Sequence, residues 1–387
     1  MYRMDFKVKN TIYLAAAGSG KTTTLVRKAC VLPSSELVLI LTYTDSNEQE
    51  IRDKFYKENN GVIPKNVFIM TWFSFLLQHI IKPYQNYVTN DSCEIKGLIM
   101  LNDGNKNNNK KQHYRPIYKT NWKQYYFTNN QKVLSEKISE LAFECNNKSD
   151  GLPIERLTNI FENIYIDEVQ DLAGYDLELI KLFLLSKSNV ILAGDPRQTT
   201  YLTNHNGNKN KKYRDGKILD YLRDCKLLEN KYSVDSNTLN RSWRCCEQIC
   251  IYASKIASGF PNMKSNSIYQ NTNCGVFLVK KDDIMLFYEH NKNVMQLRWD
   301  KKNKSVVNSE ECENFGESKG QTFDIVLIYP TNDMIEWIEN HNVQLKSQTR
   351  NKFYVAVTRA RYLVGIVWTK ETCSATDINF WSPSMKN

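Results

Sequence analysis

The stretch "LAAAGSGKTTTL", Leu14–Leu25, decides the fold of this 387-residue chain. An apolar run leads into a Gly-Ser-Gly turn, which a Lys-Thr pair and a helix-forming run follow. Residues 15–22 match the phosphate-loop pattern G-x-x-x-x-G-K-[ST], except that Ala15 replaces the first glycine. In such a loop, backbone amides and a lysine hold phosphate oxygens, and the last hydroxyl is a ligand for Mg²⁺. The candidate triphosphate-binding residues are Ala17, Gly18, Ser19, Gly20, Lys21, Thr22 and Thr23.

Strand and helix signals alternate on either side of this loop. Apolar runs predict strands at Thr11–Leu14, Leu37–Leu41, Val67–Thr71, Ile164–Asp167 and Val190–Ala193. A second set is predicted at Gly275–Val279, Asp324–Tyr329 and Tyr362–Trp368. Strands that alternate with helices are typical of parallel α/β domains. A polar surface loop is predicted at Asn204–Lys217, with a domain boundary between it and about residue 236, which divides the chain into 1–235 and 236–387.

The composition favours a globular protein with a polyanionic partner. Hydrophobic residues make up 41% and charged residues 24%, and no apolar run is long enough to span a membrane. We therefore expect a cytoplasmic protein without a membrane partner. A formal net charge of +10 favours nucleic acid as the partner. An AT-rich gene, which favours Lys and Asn codons, is the alternative explanation of that charge.

Two carboxylates follow the predicted strand in "IYIDEVQDL", Ile164–Leu172. An aspartate at a strand end can hold Mg²⁺, and an adjacent glutamate can take a proton from an attacking water. Asp167 and Glu168 therefore predict hydrolysis of the triphosphate, with an exposed acidic turn as the alternative. In "VILAGDPRQTTY", Val190–Tyr201, Gln198 follows another strand and could reach the γ-phosphate or the attacking water.

Eight segments together resemble the UvrD/Rep-like superfamily 1 DNA helicases. Those segments are "AAAGSGKT", "LTYTDSNEQEIRDKF", "TWFSF", "DEVQD", "GDPRQTTY", "LNRSWRC", "SKGQTFDIVLI" and "YVAVTRAR", in the order in which the family carries them. The resemblance implies two RecA-like P-loop domains with parallel sheets flanked by helices, and a small insertion at about residues 84–150 of the first. It also implies ATP and Mg²⁺ as cofactors and single-stranded DNA or DNA ends as the partner.

The resemblance also assigns roles to individual residues. Lys21 and Thr22 would hold phosphate and Mg²⁺, Asp167 would hold Mg²⁺, Glu168 would be the catalytic base and Gln198 the γ-phosphate sensor. Arg244 and Arg359 would be arginine fingers from the second domain, where guanidinium groups match the charge that develops on the γ-phosphoryl group. Nucleotide contacts are further implied for Trp243, which would stack on adenine, and for Gly320 and Thr322.

Candidate DNA contacts come from the same family positions. An aromatic ring at a strand exit can stack on a base, and a neighbouring hydroxyl can bind phosphate. Core packing is the alternative for Trp72 and Phe73. The candidate DNA-binding residues are Thr42, Tyr43, Thr44, Thr71, Trp72, Phe73 and Tyr201.

The sequence departs from the family pattern in several places. Residues 1–20 contain no glutamine to recognise adenine, and Thr322 replaces the glutamate that close relatives use for the ribose. Thr203 and Asn204 stand where the family has Trp and Arg. The interval from Arg244 to Lys319 is too short for the accessory domain of the larger members, which predicts a minimal motor.

Two functions follow from this pattern. The first is an Mg²⁺-dependent ATPase that moves along DNA or separates its strands. The alternative is an ATP-gated, DNA-sensing subunit of a nuclease complex, for example in anti-phage defence, without processive unwinding. A DNA-binding module with an inactive ATP site is a third interpretation.

The cysteines Cys245, Cys246 and Cys250 predict buried thiols rather than a metal site, because no further C-x-x-C pair completes a ligand set.

Overall fold

Short β-branched runs form the strands of two parallel sheets. A computed structural model describes residues 10–89, 94–100, 119, 121–200, 202–203, 208–269, 274–303, 305–307 and 310–383. The strands are β1 Asn10–Leu14, β2 Val38–Thr42, β3 Val67–Thr71, β4 Gly97–Ile99, β5 Lys132–Leu134, β6 Asn163–Ile166, β7 Asn189–Gly194, β8 Tyr232–Asp235, β9 Arg241–Ser242, β10 Lys264–Ser265, β11 Gly275–Lys280, β12 Val294–Arg298, β13 Cys312–Asn314, β14 Phe323–Ile328, β15 Ala360–Trp368 and β16 Asn379–Phe380.

Helices occupy most of the intervals between these strands. The helices are α1 Lys21–Cys30, α2 Asp45–Glu58, α3 Trp72–Phe75, α4 Lys82–Tyr84, α5 Asn86–Thr89, α6 Trp122–Tyr126, α7 Ile138–Lys148, α8 Leu152–Ile160, α9 Tyr175–Leu185, α10 Ile218–Asp224, α11 Glu247–Ile256, α12 Ile284–His290, α13 Asn332–Glu339 and α14 Ser347–Val357. A π-helical segment, Leu76–Ile81, lies between α3 and α4. Single 3₁₀ turns are formed by Ser135–Lys137, Val169–Asp171, Pro196–Gln198, Lys211–Tyr213, Lys226–Leu228 and Lys281–Asp283.

Each large sheet has six strands. The first has the order β3-β2-β6-β7-β1-β8, and the second has the order β13-β12-β14-β15-β11-β16. The pairs β2–β3, β2–β6 and β6–β7 are parallel, as are the paired strands of the second sheet. The predicted α/β class with two helix-flanked parallel sheets is thus confirmed, and it is consistent with two RecA-like domains.

The chain divides into two compact units. The first unit comprises Met1–Ile12, Thr22–Ala193 and Leu202–Ser233, and the second comprises Tyr13–Lys21, Gly194–Tyr201 and Val234–Asn387. The phosphate loop up to Lys21 and the segment after β7 are thereby grouped with the second unit. The division at residues 235 and 236 stays a prediction, as does the insertion at about 84–150.

Alternation along the central strands explains the apolar runs of the second unit. In β14, Val326 and Ile328 belong to one buried cluster, and Ile325 and Leu327 belong to another. Because successive side chains of a strand point to opposite faces, a strand that is covered on both faces is apolar at every position. This is why the run "DIVLI" predicts a strand without an alternating pattern.

In the first unit, local signals set the ends of α2 and its buried face. Thr44 is the N-cap residue, and its hydroxyl accepts a hydrogen bond from the backbone N–H of Asn47 at 3.1 Å. One helical turn separates Ile51 from Phe55, and both side chains are buried. The residues before this helix are therefore held at the carboxyl end of β2.

The region of the predicted insertion contains α5, α6, α7 and a separate two-stranded sheet. In this sheet β4 and β5 pair in parallel, with Gly97 opposite Lys132 and Ile99 opposite Leu134. The polar stretch 102–115, which we predict to be part of the insertion, lies outside the described residues. None of the helices that the structure describes is both long and apolar enough to cross a bilayer.

Candidate functional site

The segment Ala15–Ala17 is buried and bound to the protein through its backbone. The N–H of Ala15 donates to the carbonyl of Gly194 at 2.9 Å, and the N–H of Ala16 donates to the carbonyl of Leu239 at 2.6 Å. Ala15 does not have a positive φ, whereas Gly18 and Gly20 have φ values of 69° and 83°. Alanine therefore fits at the first position of the loop, where the usual glycine is absent.

Gly18 is required by its neighbours as well as by its backbone angle. A Cβ atom at this position would lie 2.7 Å from the Cβ of Arg244 and 2.9 Å from the Oγ of Ser242. The backbone N–H of Trp243 donates to the carbonyl of Gly18 at 2.9 Å. The loop therefore contacts the segment that contains Trp243 and Arg244 backbone to backbone, and a side chain at Gly18 would separate them.

The tip of the loop has features of an anion site. The Oγ of Ser19 is buried and has no hydrogen-bond partner among the described residues. The half-buried Lys21 begins α1, the first turn of which has no acidic residue. A helix N-terminus and a lysine attract negative charge, and an unpaired buried hydroxyl needs a partner. The residues present therefore fit a phosphate group.

Thr22 and Asp167, the two predicted Mg²⁺ ligands, are hydrogen-bonded to each other in the first unit. The hydroxyl of Thr22 donates to Oδ2 of Asp167 at 2.8 Å. Asp167 follows the last residue of β6 and is buried, and its Oδ1 accepts the backbone N–H of Glu168 at 2.9 Å. A carboxylate and a hydroxyl are hard oxygen donors, which suit Mg²⁺.

Glu168 has a left-handed backbone conformation with φ 53°. This conformation is uncommon for residues other than glycine, and such strain is concentrated at functional sites. The half-buried carboxylate accepts a hydrogen bond from the side-chain amide of Gln170, which is itself buried. The amide of Gln170 is thus one of the groups that orient the Glu168 carboxylate.

Gln198 and Arg359 meet in the second unit. Nη2 of Arg359 donates to Oε1 of Gln198 at 3.2 Å, and Nε2 of Gln198 donates to Oδ2 of Asp195 at 2.8 Å. Arg359 is 1% exposed, and its Nε donates to the carbonyl of Val355 at 3.1 Å. The structure thus joins the predicted sensor to one of the two predicted arginine fingers.

The remaining predicted nucleotide residues lie closer to the surface. Nη1 of the half-buried Arg244 donates to the carbonyl of Thr358 at 3.1 Å. The side chain of Trp243 is 67% exposed, so its ring is available for stacking. Gly320 and Thr322 are exposed and precede β14, and Gly320 has φ 91°.

The candidate DNA residues at the exit of β2 differ in exposure. Thr42 is buried, and its Oγ1 has no partner among the residues described. Tyr43 is half-buried with its ring edge-on to Phe73, at a centroid distance of 5.7 Å. Burial, with Asp176 and Asp171 nearby, raises the pKa of Tyr43 to about 12. Thr44 is exposed, and its hydroxyl caps α2.

At the exit of β3 the side chains are directed into the protein. The hydroxyl of Thr71 donates to the hydroxyl of Ser74 at 2.9 Å. Trp72 and Phe73 are buried, and the indole N–H of Trp72 donates to Oδ1 of Asp176 at 2.6 Å. These aromatic rings occupy core positions, which is the alternative that the sequence leaves open. Tyr201 lies outside the described residues.

The three cysteines near the start of α11 are buried thiols. Cys245, Cys246 and Cys250 are each 0% exposed. Burial raises the pKa of all three, and that of Cys246 to about 12, so the thiols stay protonated. Among the described residues there is no group of three or more His, Cys, Asp or Glu side chains that could hold a metal ion.

Sequence reasoning missed four buried polar residues near these motifs. Asp195 and Arg197 are part of the quoted "GDPRQTTY" segment, and Tyr354 is part of "YVAVTRAR", yet none is singled out by the pattern. Asp176 in α9 accepts hydrogen bonds from several elements of the first unit. No local signal separates Asp176 from Glu178 and Lys181 of the same helix, whereas the other three residues could have been found by their closeness in sequence to Gln198 and Arg359.

Comparison with known proteins gives a family match over the first half of the chain. The model of the family described as AAA domain matches residues 2–204. A probable DNA helicase II homolog from Mycoplasma capricolum subsp. capricolum is 22% identical over 314 residues, which are 70% of this chain and 42% of that protein. A probable DNA helicase II homolog from Mycoplasma genitalium is 22% identical over 294 residues, or 64% of this chain and 40% of that protein.

The chain spans less than half the length of these curated relatives. Among solved structures, it is similar to Arterivirus nonstructural protein 10 (helicase) in complex with DNA, at a TM-score of 0.48 and 13% identity. That similarity covers 94% of this chain and 62% of the viral chain.

Proposed function

Because the chain belongs to the AAA domain family, in its UvrD/Rep-type form, we propose that it is an Mg²⁺-dependent ATPase that acts on DNA. Hydrolysis would be coupled to movement along single-stranded DNA or to separation of a duplex. The observation that carries the proposal is the 2.8 Å hydrogen bond between Thr22 and Asp167. It joins the last residue of the phosphate-loop pattern to the strand-end carboxylate, the two side chains that hydrolysis of a triphosphate needs at one metal.

The proposed domains are residues 1–235 and 236–387, both RecA-like, with an insertion at about 84–150 in the first. Two six-stranded sheets, one in each part of the chain, support this division. The described part of the proposed insertion has its own small sheet of β4 and β5, which supports its separate assignment.

The proposed phosphate contacts are the amides of the loop tip, residues 18–23, together with Lys21, and Thr22 and Asp167 would hold the metal; the amide of Ala17 is bonded to Tyr354 instead. Bound Mg²⁺ would neutralise charge on the β- and γ-phosphate oxygens. The buried, unpaired hydroxyl of Ser19 supports the assignment, because a phosphate oxygen would give it a partner.

Glu168 is the proposed base, which takes a proton from the attacking water. Its hydrogen bond from Gln170 helps to orient the carboxylate, and the strand-end position beside Asp167 supports the assignment. Lys21, Arg244 and Arg359 would neutralise the charge that develops on the phosphoryl oxygens. The bond between Arg359 and Gln198 supports a joint role for this arginine and the sensor.

We assign base recognition to Trp243. Gly320 and Thr322, in the next motif along the chain, are the further proposed nucleotide contacts. The exposed ring of Trp243 supports stacking on adenine. For DNA we propose contacts at Thr42, Tyr43 and Thr44, of which the latter two are at least partly accessible. The buried Thr71–Phe73 segment would then stabilise, from within the core, the residues that follow β2.

Steady-state ATP hydrolysis with and without single-stranded DNA tests the proposal. We expect Lys21→Ala to abolish hydrolysis, because the lysine charge on the phosphates is lost. Lys57→Ala, at an exposed position of α2, is the matched control and should retain full activity. Hydrolysis that is unaffected by Lys21→Ala would rule out the assigned site, and hydrolysis that DNA does not stimulate would rule out the DNA-coupled function.

One observation favours a second function, an ATP-gated subunit of a nuclease complex. Thr203 stands where helicases of this type have a base-stacking Trp, and it is buried. Its hydroxyl bonds to the carboxylate of Asp176 and accepts the N–H of Ala173 at 2.9 Å, so it contributes to the core and offers no stacking surface. Weaker binding of single-stranded DNA follows, because base stacking is a main source of that binding.

Strand displacement distinguishes the two functions. If the chain alone displaces a strand from a partial duplex in the presence of ATP, the subunit function is excluded. DNA-stimulated hydrolysis without displacement, together with a nuclease that co-purifies from the native host, would favour it.

A further inference from the structure

A buried carboxylate, Asp195, is the centre of a polar cluster in the second unit. It is 0% exposed and follows β7 by one residue. Oδ1 accepts the Nε of Arg197 at 2.6 Å, and Oδ2 accepts Nε2 of Gln198 at 2.8 Å and the hydroxyl of Tyr354 at 3.2 Å. A buried carboxylate with this many donors is held in one orientation. The cluster therefore fixes each donor that it binds.

Tyr354 connects this cluster to the phosphate loop. It lies in α14 and is 0% exposed. Its hydroxyl oxygen accepts the backbone N–H of Ala17 at 3.3 Å, and its proton has two acceptors in reach, Oδ2 of Asp195 at 3.2 Å and Sδ of Met263 at 3.5 Å, of which the carboxylate is the stronger. A phenolic hydroxyl has one proton and acceptor lone pairs, so it can serve both partners at the same time.

Arg197 holds the same loop from a second point. Its Nη2 donates to the carbonyl of Ala15 at 2.7 Å, and its guanidinium lies 5.2 Å from the ring centroid of Tyr354. Burial alone would lower the pKa of Arg197, but the carboxylate of Asp195 more than offsets this and the pKa is raised. The arginine therefore stays charged, and the loop entry is bound at both Ala15 and Ala17.

Two hydrogen bonds fix which side of the Gln198 amide carries the nitrogen and which carries the oxygen. A carboxylate accepts only, so the amide nitrogen must face Asp195, and the amide oxygen must face the guanidinium of Arg359. Burial raises the pKa of Tyr354, which keeps its proton available for Asp195. A continuous series of hydrogen bonds thus runs from Ala17 through Tyr354 and Asp195 to Gln198 and Arg359.

We propose that Tyr354 is a positioning residue for the ATP hydrolysis proposed above: through Asp195 it sets the orientation of Gln198 and Arg359 relative to the phosphate loop. The inference rests on the proposed function and adds to it a residue that need not touch the nucleotide. The Ala17 amide is already satisfied by Tyr354, so the tyrosine links the loop backbone to the sensor without competing for phosphate at the loop tip.

Tyr354→Phe removes the hydroxyl and keeps the buried ring. We expect kcat to fall about tenfold, equivalent to about 1.4 kcal/mol, because Asp195 and Ala17 lose their shared partner. The KM for ATP should change less than about threefold, since the loop tip that binds phosphate is intact. A purely structural role would lower stability without this split between kcat and KM.

Tyr252→Phe is the matched control. Tyr252 is also a buried tyrosine of the second unit, and its hydroxyl has no hydrogen-bond partner among the residues described. Its ring packs edge-on against Phe353, at a centroid distance of 6.3 Å, so both variants remove a hydroxyl from the same core. The control should leave kcat unchanged, and equal kcat values for the two variants would overturn the inference.

A double-mutant cycle with Gln198→Ala tests the route. If Tyr354 acts through Gln198, Tyr354→Phe should cause little further loss of kcat in the Gln198→Ala background. If the double variant lowers kcat by the product of the two separate factors, the inference is overturned, even if Tyr354→Phe alone lowers kcat.

Asp195→Asn provides a second test that keeps Tyr354 in place. The amide would present a donor where Oδ2 now accepts from Tyr354 and Gln198. We expect a loss of kcat at least as large as that of Tyr354→Phe, with no further loss when the two are combined. If the unsubstituted chain shows no Lys21-dependent hydrolysis, both proposals fail; hydrolysis that Tyr354→Phe and Asp195→Asn leave unchanged overturns this one alone.

Discussion

Two tryptophans that the sequence predicts to stack on bases differ in their surroundings. In the first unit, the side chain of Trp72 is 1% exposed and its indole N–H is bonded to Asp176. In the second unit, the side chain of Trp243 is 67% exposed, although its backbone N–H is held by Gly18. Both lie inside segments that resemble family motifs, "TWFSF" and "LNRSWRC", so local sequence does not separate a binding aromatic from a core aromatic.

The partner of the indole N–H explains the difference. Asp176 is completely buried and accepts from Trp72, from the hydroxyls of Ser139 and Thr203 and from the backbone N–H of Ala173. A buried tryptophan is stable only if its N–H finds an acceptor, and here a residue from a distant part of the chain provides it. The Trp72 ring is therefore held in the core of the first unit, which favours a structural role, and the exposed Trp243 ring stays the candidate for stacking.

The largest effect is expected from Glu168→Gln, which removes the proposed base and leaves both tryptophans unchanged. We expect kcat to fall by about 10²- to 10⁴-fold, because the amide cannot take a proton from water. ATP binding, measured by calorimetry, should be retained. The exposed Glu371→Gln is the control, and undiminished phosphate release from Glu168→Gln would contradict the assignment.

Trp72→Phe should lower the free energy of unfolding by about 1–3 kcal/mol, because the carboxylate of Asp176 loses a buried donor. Chemical denaturation of the purified chain measures this change. Trp337→Phe, at another buried tryptophan, controls for the loss of ring area. A stable Trp72→Phe protein that has lost DNA binding would break the comparison, because it would make Trp72 a binding residue.

Trp243→Ala should raise the KM for ATP about tenfold through loss of base stacking, which contributes about 1–3 kcal/mol per base. Its thermal unfolding should match that of the unsubstituted chain, because the ring contributes little to the core. A large drop in stability with an unchanged KM would remove the distinction between the two tryptophans.

The smallest effect concerns Tyr43, whose ring packs against Phe73 at the exit of β2. Its pKa is raised from the ordinary 10 to about 12, chiefly by burial. Below pH 10 the hydroxyl is protonated in both the folded and the unfolded chain; between pH 10 and about 12 it ionises first in the unfolded chain, so stability falls as pH rises.

Tyr43→Phe should remove the part of the stability loss between pH 10 and about 12 that comes from ionisation of this phenol. Denaturation of both proteins at pH 8 and pH 11 gives the comparison, and only the difference between the two pH values is attributed to ionisation. An identical pH dependence for both proteins would mean that the phenol is accessible to water, as a DNA-contacting side chain would be.

The predicted central strands coincide closely with those observed, because both faces of each sheet are covered and continuous apolar runs are then required. The predicted Leu37–Leu41 differs from β2 by one residue, and Asp167 immediately follows β6; the edge strand β3 also coincides with the predicted Val67–Thr71. The edge strand β8, Tyr232–Asp235, and β12, Val294–Arg298, which lies one strand in from the edge of the second sheet, are not predicted, because they mix polar and apolar residues and depend on pairing with distant strands.

The sequence alone determined the fold class and the chemistry of the phosphate loop, because periodicity and short motifs are local properties of the chain. Thr22, Asp167, Glu168 and Gln198 are predicted in this way and Arg359 by the family resemblance, and their roles stay predictions. Only the tertiary structure decided which side chains are in the core and which polar groups pair inside it. The bond of Trp72 to Asp176 and the series from Ala17 through Tyr354 to Asp195 join residues far apart in the chain, and burial rather than spacing selects such partners.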